Sequence, residues 1–266
     1  MSEPADIPEP DRLEGAPHPR LTPALIGQAP AEAGFLEAFN SGRLHHAWLI
    51  TGPKGVGKAT LAWRIARFLL ATPDTDGDAG LFGAPPPPET LDIDPEHPVS
   101  RRLRAMSEPG LFLLRRPWDQ KAKRLKQEIT VEEARKLKGF FALSSADGGR
   151  RVVIVDSADE LNSSAANAVL KLLEEPPAKT TLLLVSHQPS RLLPTIRSRC
   201  RTLRCGPLAP DLLTQALTQS GIENVDLSGP LAALADGSVG AAFNLVHEEG
   251  VAQYGALIAL FSALPR

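Results

Sequence analysis

Hydrophobic and polar positions follow two regimes along the chain. Three short runs are apolar almost without interruption: Ala47-Trp48-Leu49-Ile50-Thr51, Val152-Val153-Ile154-Val155 and Thr181-Leu182-Leu183-Leu184-Val185. Runs of this length suit strands covered on both faces of a parallel sheet. Helical spacing appears between them. Leu61, Ile65, Phe68 and Leu69 fall on one face of a segment from Lys58 to Leu70. Thr130-Val131-Glu132-Glu133 reads as a capping box that opens a helix to about Leu143, ending before Gly148-Gly149. A further helix from about Ser163 to Glu175 is stopped by Pro176-Pro177. Strands alternating with helices predict an α/β fold built on a parallel sheet. After Pro207 the pattern changes, with helices expected over 211–220, 229–236 and 240–261 and no further strand. A boundary near Cys205 to Pro210 divides an α/β domain, 21–207, from a small all-helical domain, 208–266.

Composition modifies this picture locally. The 266 residues, 42% of them hydrophobic, suffice for one large domain and a small companion. A net charge of −2 creates no field that draws the whole molecule to nucleic acid. The 25 prolines, well above the usual share of about 5%, concentrate in two stretches. Residues 1–20 hold five prolines and five acids and read as a disordered tail. Residues 73–98 carry seven acids and no Lys or Arg, and read as a surface insertion largely without regular structure. Residues 101–126 reverse the sign, with nine Lys or Arg against two acids. Two cysteines, Cys200 and Cys205, make neither a disulfide framework nor a four-cysteine zinc site, and read as small core residues. The first twenty residues contain no signal-like apolar stretch, and no apolar run approaches the roughly 18 residues of a membrane span. A cytoplasmic setting is expected.

Candidate chemistry begins directly after the first apolar run. Gly52-Pro53-Lys54-Gly55-Val56-Gly57-Lys58 is a glycine-rich loop between a strand and a helix, the context of a phosphate-binding loop. Successive backbone N–H groups and the helix N-terminus form a positive nest, and Lys58 would reach the outer phosphates. Ala59 stands where a magnesium-ligating hydroxyl is expected. Thr60 comes one residue late, turned about 100° away on the helix. The second run ends in Asp156, which could orient a metal-bound water. Ser157 follows it, where a water-activating carboxylate is expected. The nucleotide-binding set is therefore Gly52, Pro53, Lys54, Gly55, Val56, Gly57, Lys58, Ala59, Thr60 and Asp156, without the groups for hydrolysis. Asp159 and Glu160 read as solvent-exposed acids at a helix start. No cofactor is required, and ATP or ADP at the degenerate loop is left open.

Three longer phrases carry a resemblance: Arg43-Leu44-His45-His46-Ala47, then Leu161-Asn162 with Ala166 through Pro177, and Leu192 through Cys200. Over about residues 21 to 245 the chain resembles bacterial clamp-loader subunits of the AAA+ superfamily, and among them the one that does not hydrolyse ATP. The resemblance implies an AAA+ P-loop NTPase-type parallel sheet flanked by helices, followed by a helical lid. It implies that Arg199, in Ser198-Arg199-Cys200, is an arginine finger supplied in trans, the catalytic residue of this chain. A guanidinium suits that role because it stabilises charge on a transferring γ-phosphoryl. The implied partners are tau- or gamma-type ATPase subunits and a delta subunit in a hetero-pentamer, with the sliding clamp and primed DNA reached through the complex. Gly240 falls where hydrolysing relatives carry a second-sensor Arg. The four zinc-binding cysteines of many relatives have no counterpart in the acidic insertion, so no metal is expected. A helical collar domain of the relatives is absent from these residues.

Alternatives stand beside these readings. An ATP-hydrolysing tau/gamma-type subunit is one, although it needs a hydroxyl, a carboxylate and an Arg at positions 59, 157 and 240. A small nucleotide kinase is another, and the Ser-Arg-Cys phrase argues against it. Arg197, Arg199, Arg201 and Arg204 could instead form a solvated strip. Residues 101–126 are either a nucleic-acid contact or a charged surface loop. His45 and His46 read as packing residues, not metal ligands.

Overall fold

The three apolar runs lie side by side at the centre of one parallel sheet. The computed structural model describes residues 8–22, 24–72, 86–142, 149–222 and 229–262. Helix α1 (Ala29–Asn40) precedes β1 (Ala47–Thr51), which leads into α2 (Lys58–Ala71) and then α3 (Pro98–Arg104). Strand β2 (Leu111–Arg115) is followed by a two-residue ladder, β3 (Trp118–Asp119) with β4 (Arg124–Leu125), and by α4 (Val131–Ala142). Next come β5 (Arg151–Asp156), α5 (Ser163–Glu174), β6 (Thr180–Ser186), α6 (Pro194–Arg197) and β7 (Arg201–Arg204). Four helices close the described chain: α7 (Pro210–Gln219), α8 (Pro230–Ala235), α9 (Val239–His247) and α10 (Gly250–Ser262).

The sheet order is β2-β5-β6-β1-β7, every neighbour parallel, so the apolar runs of β5, β6 and β1 fill its middle. Their side chains alternate between two cores. Trp48, Ile50, Val152, Ile154, Leu183 and Val185 meet α1, α2 and the C-terminal helices on one face. Ala47, Leu49, Val153, Val155, Leu182 and Leu184 meet α4, α5 and α6 on the other. Uninterrupted hydrophobicity is what such double coverage demands. The α/β class expected from the pattern is the one observed.

The expected helices 211–220 and 229–236 correspond to α7 and α8. The expected helix 240–261 is two helices. Glu248 and Glu249 separate α9 from α10, with Glu249 at φ +53°. Two acids at a helix C-terminus oppose its dipole, whereas the same acids suit the start of the next helix. The capping box is also corrected. Glu133 pairs with Lys136 at 2.6 Å instead of reaching back, and the chain before α4 is pinned by backbone bonds between Ile129 and the Glu160–Asn162 turn.

Residues 8–20 are not a disordered tail. His18 is buried against the edge of Trp63, and its Nε2 lies 3.1 Å from the covered carboxylate of Asp11. Arg115 at the end of β2 pairs with both Glu9 and Asp11. Proline- and acid-rich composition suggested disorder because it lacks apolar surface, yet here Arg115 on the sheet and the His18–Trp63 contact supply the anchorage. Residues 1–7 lie outside the described residues. Of the acidic insertion, 86–97 has no regular structure, although Leu91 is buried and Asp92 pairs with Arg64; residues 73–85 lie outside the described ones. No described helix is long and apolar enough to cross a membrane.

Two glycine substitutions test this packing in opposite directions. A Cβ on Gly139, on the exposed face of α4, meets nothing within 4 Å, so Gly139→Ala is expected to stabilise by about 0.5–1 kcal/mol. A Cβ on Gly240 would lie 2.9 Å from the Gly55 Cα, so Gly240→Ala is expected to destabilise by about 1–3 kcal/mol. Urea unfolding of both variants measures the pair; equal effects would contradict the packing described.

Candidate functional site

Strand β1 delivers the glycine-rich loop to the C-terminal edge of the sheet, where ligands of open α/β sheets bind. Gly57 caps α2 with φ +100°, and Lys58 opens the helix. Lys58 is almost wholly buried, and its Nζ donates to the carbonyls of Gly52 (2.8 Å) and Pro53. Burial pulls its ammonium down to about 8. The loop is held from outside as well. Gln28 donates to the carbonyls of Val56 (2.9 Å) and Gly206 (2.8 Å) and accepts from the Gly206 N–H.

The C-terminal helices close directly on this loop. The Gly240 N–H donates to the Gly55 carbonyl at 3.0 Å, and the Ser238 hydroxyl donates to the Lys54 carbonyl at 2.8 Å. The two backbones approach too closely for a side chain on either partner. A Cβ on Gly55 would sit 2.5 Å from the Ser238 Oγ. A cavity of about 290 Å³ remains, lined among others by Asp11, Leu25, Lys58, Asp156, His187 and Phe243. That is the lower end of the roughly 300–1,000 Å³ typical of small-molecule sites. Lys54, Gly55, Val56, Gly57, Ala59 and Thr60 also line it, whereas Gly52 and Pro53 stand behind as acceptors for Lys58.

Asp156 faces the cavity from the end of β5. Burial pushes its carboxyl up to about 7, and the nearby acids Asp11 and Glu160 push the same way. Ser157 beside it is buried and offers no carboxylate. Asp159 is not the solvent-exposed acid expected from the sequence. It accepts from the Ser186 hydroxyl at 2.6 Å and from the backbone N–H groups of His187 and Gln188, tying the end of β6 to the turn after β5. Glu160 is half-buried and pairs with Arg116 at 2.9 Å. Four groups went unnoticed in the sequence: Asp11, Gln28, His187 and Ser238. His187 is held neutral by burial, its pKa pushed down to about 4. Only Ser238 had a local signal, as a helix N-cap ahead of α9.

Arg199 lies outside this cavity, just past α6. Its side chain is 37% exposed, pairs with Glu174 of α5 at 3.1 Å and donates to the Thr195 carbonyl. Arg201 covers the Trp48 ring at 5.3 Å, and Arg197 and Arg204 face solvent. The basic segment 101–126 divides. Arg101, Arg102 and Arg104 pair with Glu96 or Glu108, and Arg115 and Arg116 pair inward with Glu9, Asp11 and Glu160. Lys121, Lys123, Arg124 and Lys126 stay exposed on the β3–β4 ladder and its approaches. His45 and His46 stack at 4.5 Å, and the His46 Nε2 donates to the Leu173 carbonyl, a packing role. Burial pushes the Cys200 thiol up to about 12 and Cys205 up to about 11, which fits unreactive thiols.

A family model described as "DNA polymerase III, delta subunit" matches residues 27–209. The chain belongs to this family. DNA polymerase III subunit delta' of Pseudomonas aeruginosa is 37% identical over 217 residues, which are 80% of this chain and 59% of that protein. DNA polymerase III subunit gamma/tau of Mycobacterium tuberculosis is 29% identical over 223 residues, 80% of this chain and 34% of its own length. Among solved structures, a DNA polymerase III gamma subunit-related protein of Thermotoga maritima covers 87% of this chain and 63% of itself, with a TM-score of 0.46 and 18% identity. The chain thus spans less than two thirds of each of these curated relatives.

The raised pKa of Asp156 makes stability depend on pH. The folded chain holds this proton more tightly than the unfolded one. The resulting stabilisation is full below the ordinary carboxylate pKa near 4 and is lost as pH rises through about 7. Asp156→Asn removes that loss. Its melting temperature relative to the parent is expected to climb between about pH 4 and about pH 7 in calorimetric scans and to level off above that. A difference that stays flat, or falls, contradicts the burdened carboxyl.

Proposed function

We propose that this chain is a clamp-loader subunit that hydrolyses no ATP itself and presents Arg199 to nucleotide bound by a neighbouring ATPase subunit. One observation carries the reading. Arg199, partly exposed and held by Glu174, stands outside the glycine-loop cavity, while that cavity lacks the groups hydrolysis needs. Ala59 offers no hydroxyl for magnesium, Ser157 no carboxylate for water, and Gly240 no side chain at all. Asp159 and Glu160 cannot substitute, since one caps β6 and the other pairs with Arg116. Arg199 sits at a helix end, steadied by Glu174 yet reachable from solvent, as a finger offered across an interface must be.

In this reading the partners are tau- or gamma-type ATPase subunits and a delta subunit in a hetero-pentamer that places a sliding clamp on primed DNA. Family membership supports that setting. No cofactor is needed for the role, and ATP or ADP in the cavity would be structural. The second reading, a hydrolysing tau/gamma-type subunit, draws on the gamma/tau relative. Positions 59, 157 and 240 weigh against it.

The test is ATP turnover by the complex reconstituted with tau- or gamma-type and delta subunits. A finger is worth about 10³–10⁵ at the site it serves. Arg199→Ala is therefore expected to silence one ATPase site and lower total turnover by that site's share, with assembly intact by size exclusion. Arg199→Lys should restore little, because the planar fork is lost. Unchanged turnover in an intact Arg199→Ala complex would overturn the finger.

A further inference from the structure

A second cavity, of about 180 Å³, opens on the far side of the Pro19–Leu21 turn from the phosphate loop. It lies between that turn, α2 and α3, and four arginines line it: Arg20, Arg64, Arg67 and Arg104. Asp92 is its one acidic lining residue. The charges are unevenly matched. Arg64 holds two carboxylates, its Nε on Glu32 at 2.7 Å and a terminal nitrogen on Asp92 at 2.9 Å. Arg20 pairs with Glu9, and Arg104 reaches exposed Glu96 at 3.6 Å. Arg67 has no carboxylate partner among the described residues; it donates to the Arg20 carbonyl at 2.8 Å. Burial and the neighbouring charges of Arg64 and Arg104 push its pKa down.

Three of the residues lining this cleft also carry a buried donor with no hydrogen-bond partner among the described residues. The Nε groups of Arg20 and Arg67 are buried without hydrogen-bond partners. Ser100, at 2% exposure, lines the cavity with a hydroxyl that also lacks one. Buried donors without partners are costly, and clustered guanidiniums without an anion repel. Both penalties vanish if one multivalent anion enters. Guanidinium forks match tetrahedral oxyanions, and a hydroxyl donates to the same kind of oxygen.

We propose that this cleft is a binding site for a phosphate-type oxyanion, orthophosphate or pyrophosphate in size, held by Arg20, Arg67, Arg104 and the Ser100 hydroxyl. Arg64 is the structural cation that braces α2 against Glu32 and Asp92. The site is independent of the glycine-rich loop and uses none of its groups.

Isothermal titration of the whole chain with sodium phosphate and with sodium pyrophosphate, in chloride buffer, tests the site. Both are repeated in Lys58→Ala, which removes the loop lysine from the count. Losing one charge-assisted donor weakens an anion by about tenfold or more. Arg67→Gln is therefore expected to weaken binding about tenfold in a protein that still unfolds cooperatively, since relieved repulsion offsets the lost bond to the Arg20 carbonyl. Ser100→Ala, the mildest change, should weaken binding in the same direction with the fold intact. The preferred arm, orthophosphate or pyrophosphate, identifies which anion the cleft fits. Affinity unchanged by both substitutions, or binding that disappears with Lys58→Ala alone, would overturn the proposal. So would a single-stranded oligonucleotide that binds with the same Arg67 dependence while the small anions do not.

Discussion

Two residues without side chains, Gly55 and Gly240, let the phosphate loop and the C-terminal helices meet backbone to backbone, and the character of the site follows from that contact. It forms one wall of the cavity that Lys58 also lines, and the buried Lys58 ammonium turns onto its own loop's carbonyls. It also fixes what position 240 can do. With its Cα against Gly55, no arginine or other long side chain can project from there toward a nucleotide in this packing.

Electrostatics in the cavity point the same way. The N-terminal stretch brings Asp11 to the pocket wall, where it adds to the burden on Asp156. A site for triphosphate gains from cations and loses from each added carboxylate. Here Arg115 is spent on Glu9 and Asp11, and Arg116 on Glu160. The cavity wall offers Lys54, a Lys58 turned onto its own loop's carbonyls, and a carboxyl at Asp156 held near neutrality. Arg199, the residue proposed to act on a neighbour's nucleotide, does not line this cavity and pairs with Glu174 instead.

The central sheet could be read from the sequence because β1, β5 and β6 are covered on both faces and leave no polar interruption. Edge strands β2 and β7 were not anticipated. They are half-covered and end in arginines, Arg115, Arg201 and Arg204, so their periodicity is mixed. Helix α1 escaped because glycine and proline dilute its apolar face. The phosphate loop was legible as a local phrase with a fixed spacing. Asp11, Gln28 and His187 were not, since each is defined by partners far away in the sequence, 178 residues for Gln28 and Gly206. Asp159 misled for the same reason: its ligands lie at the end of another strand.

The proposed role requires that this chain carry out no phosphate hydrolysis of its own. The most direct measurement is single-turnover hydrolysis of ATP–magnesium by an excess of the isolated chain, followed by release of inorganic phosphate. Release no faster than the protein-free blank is the expected result. A first-order burst at a rate typical of enzymes, on the order of 1 s⁻¹ or above, that Lys58→Ala abolishes would contradict it.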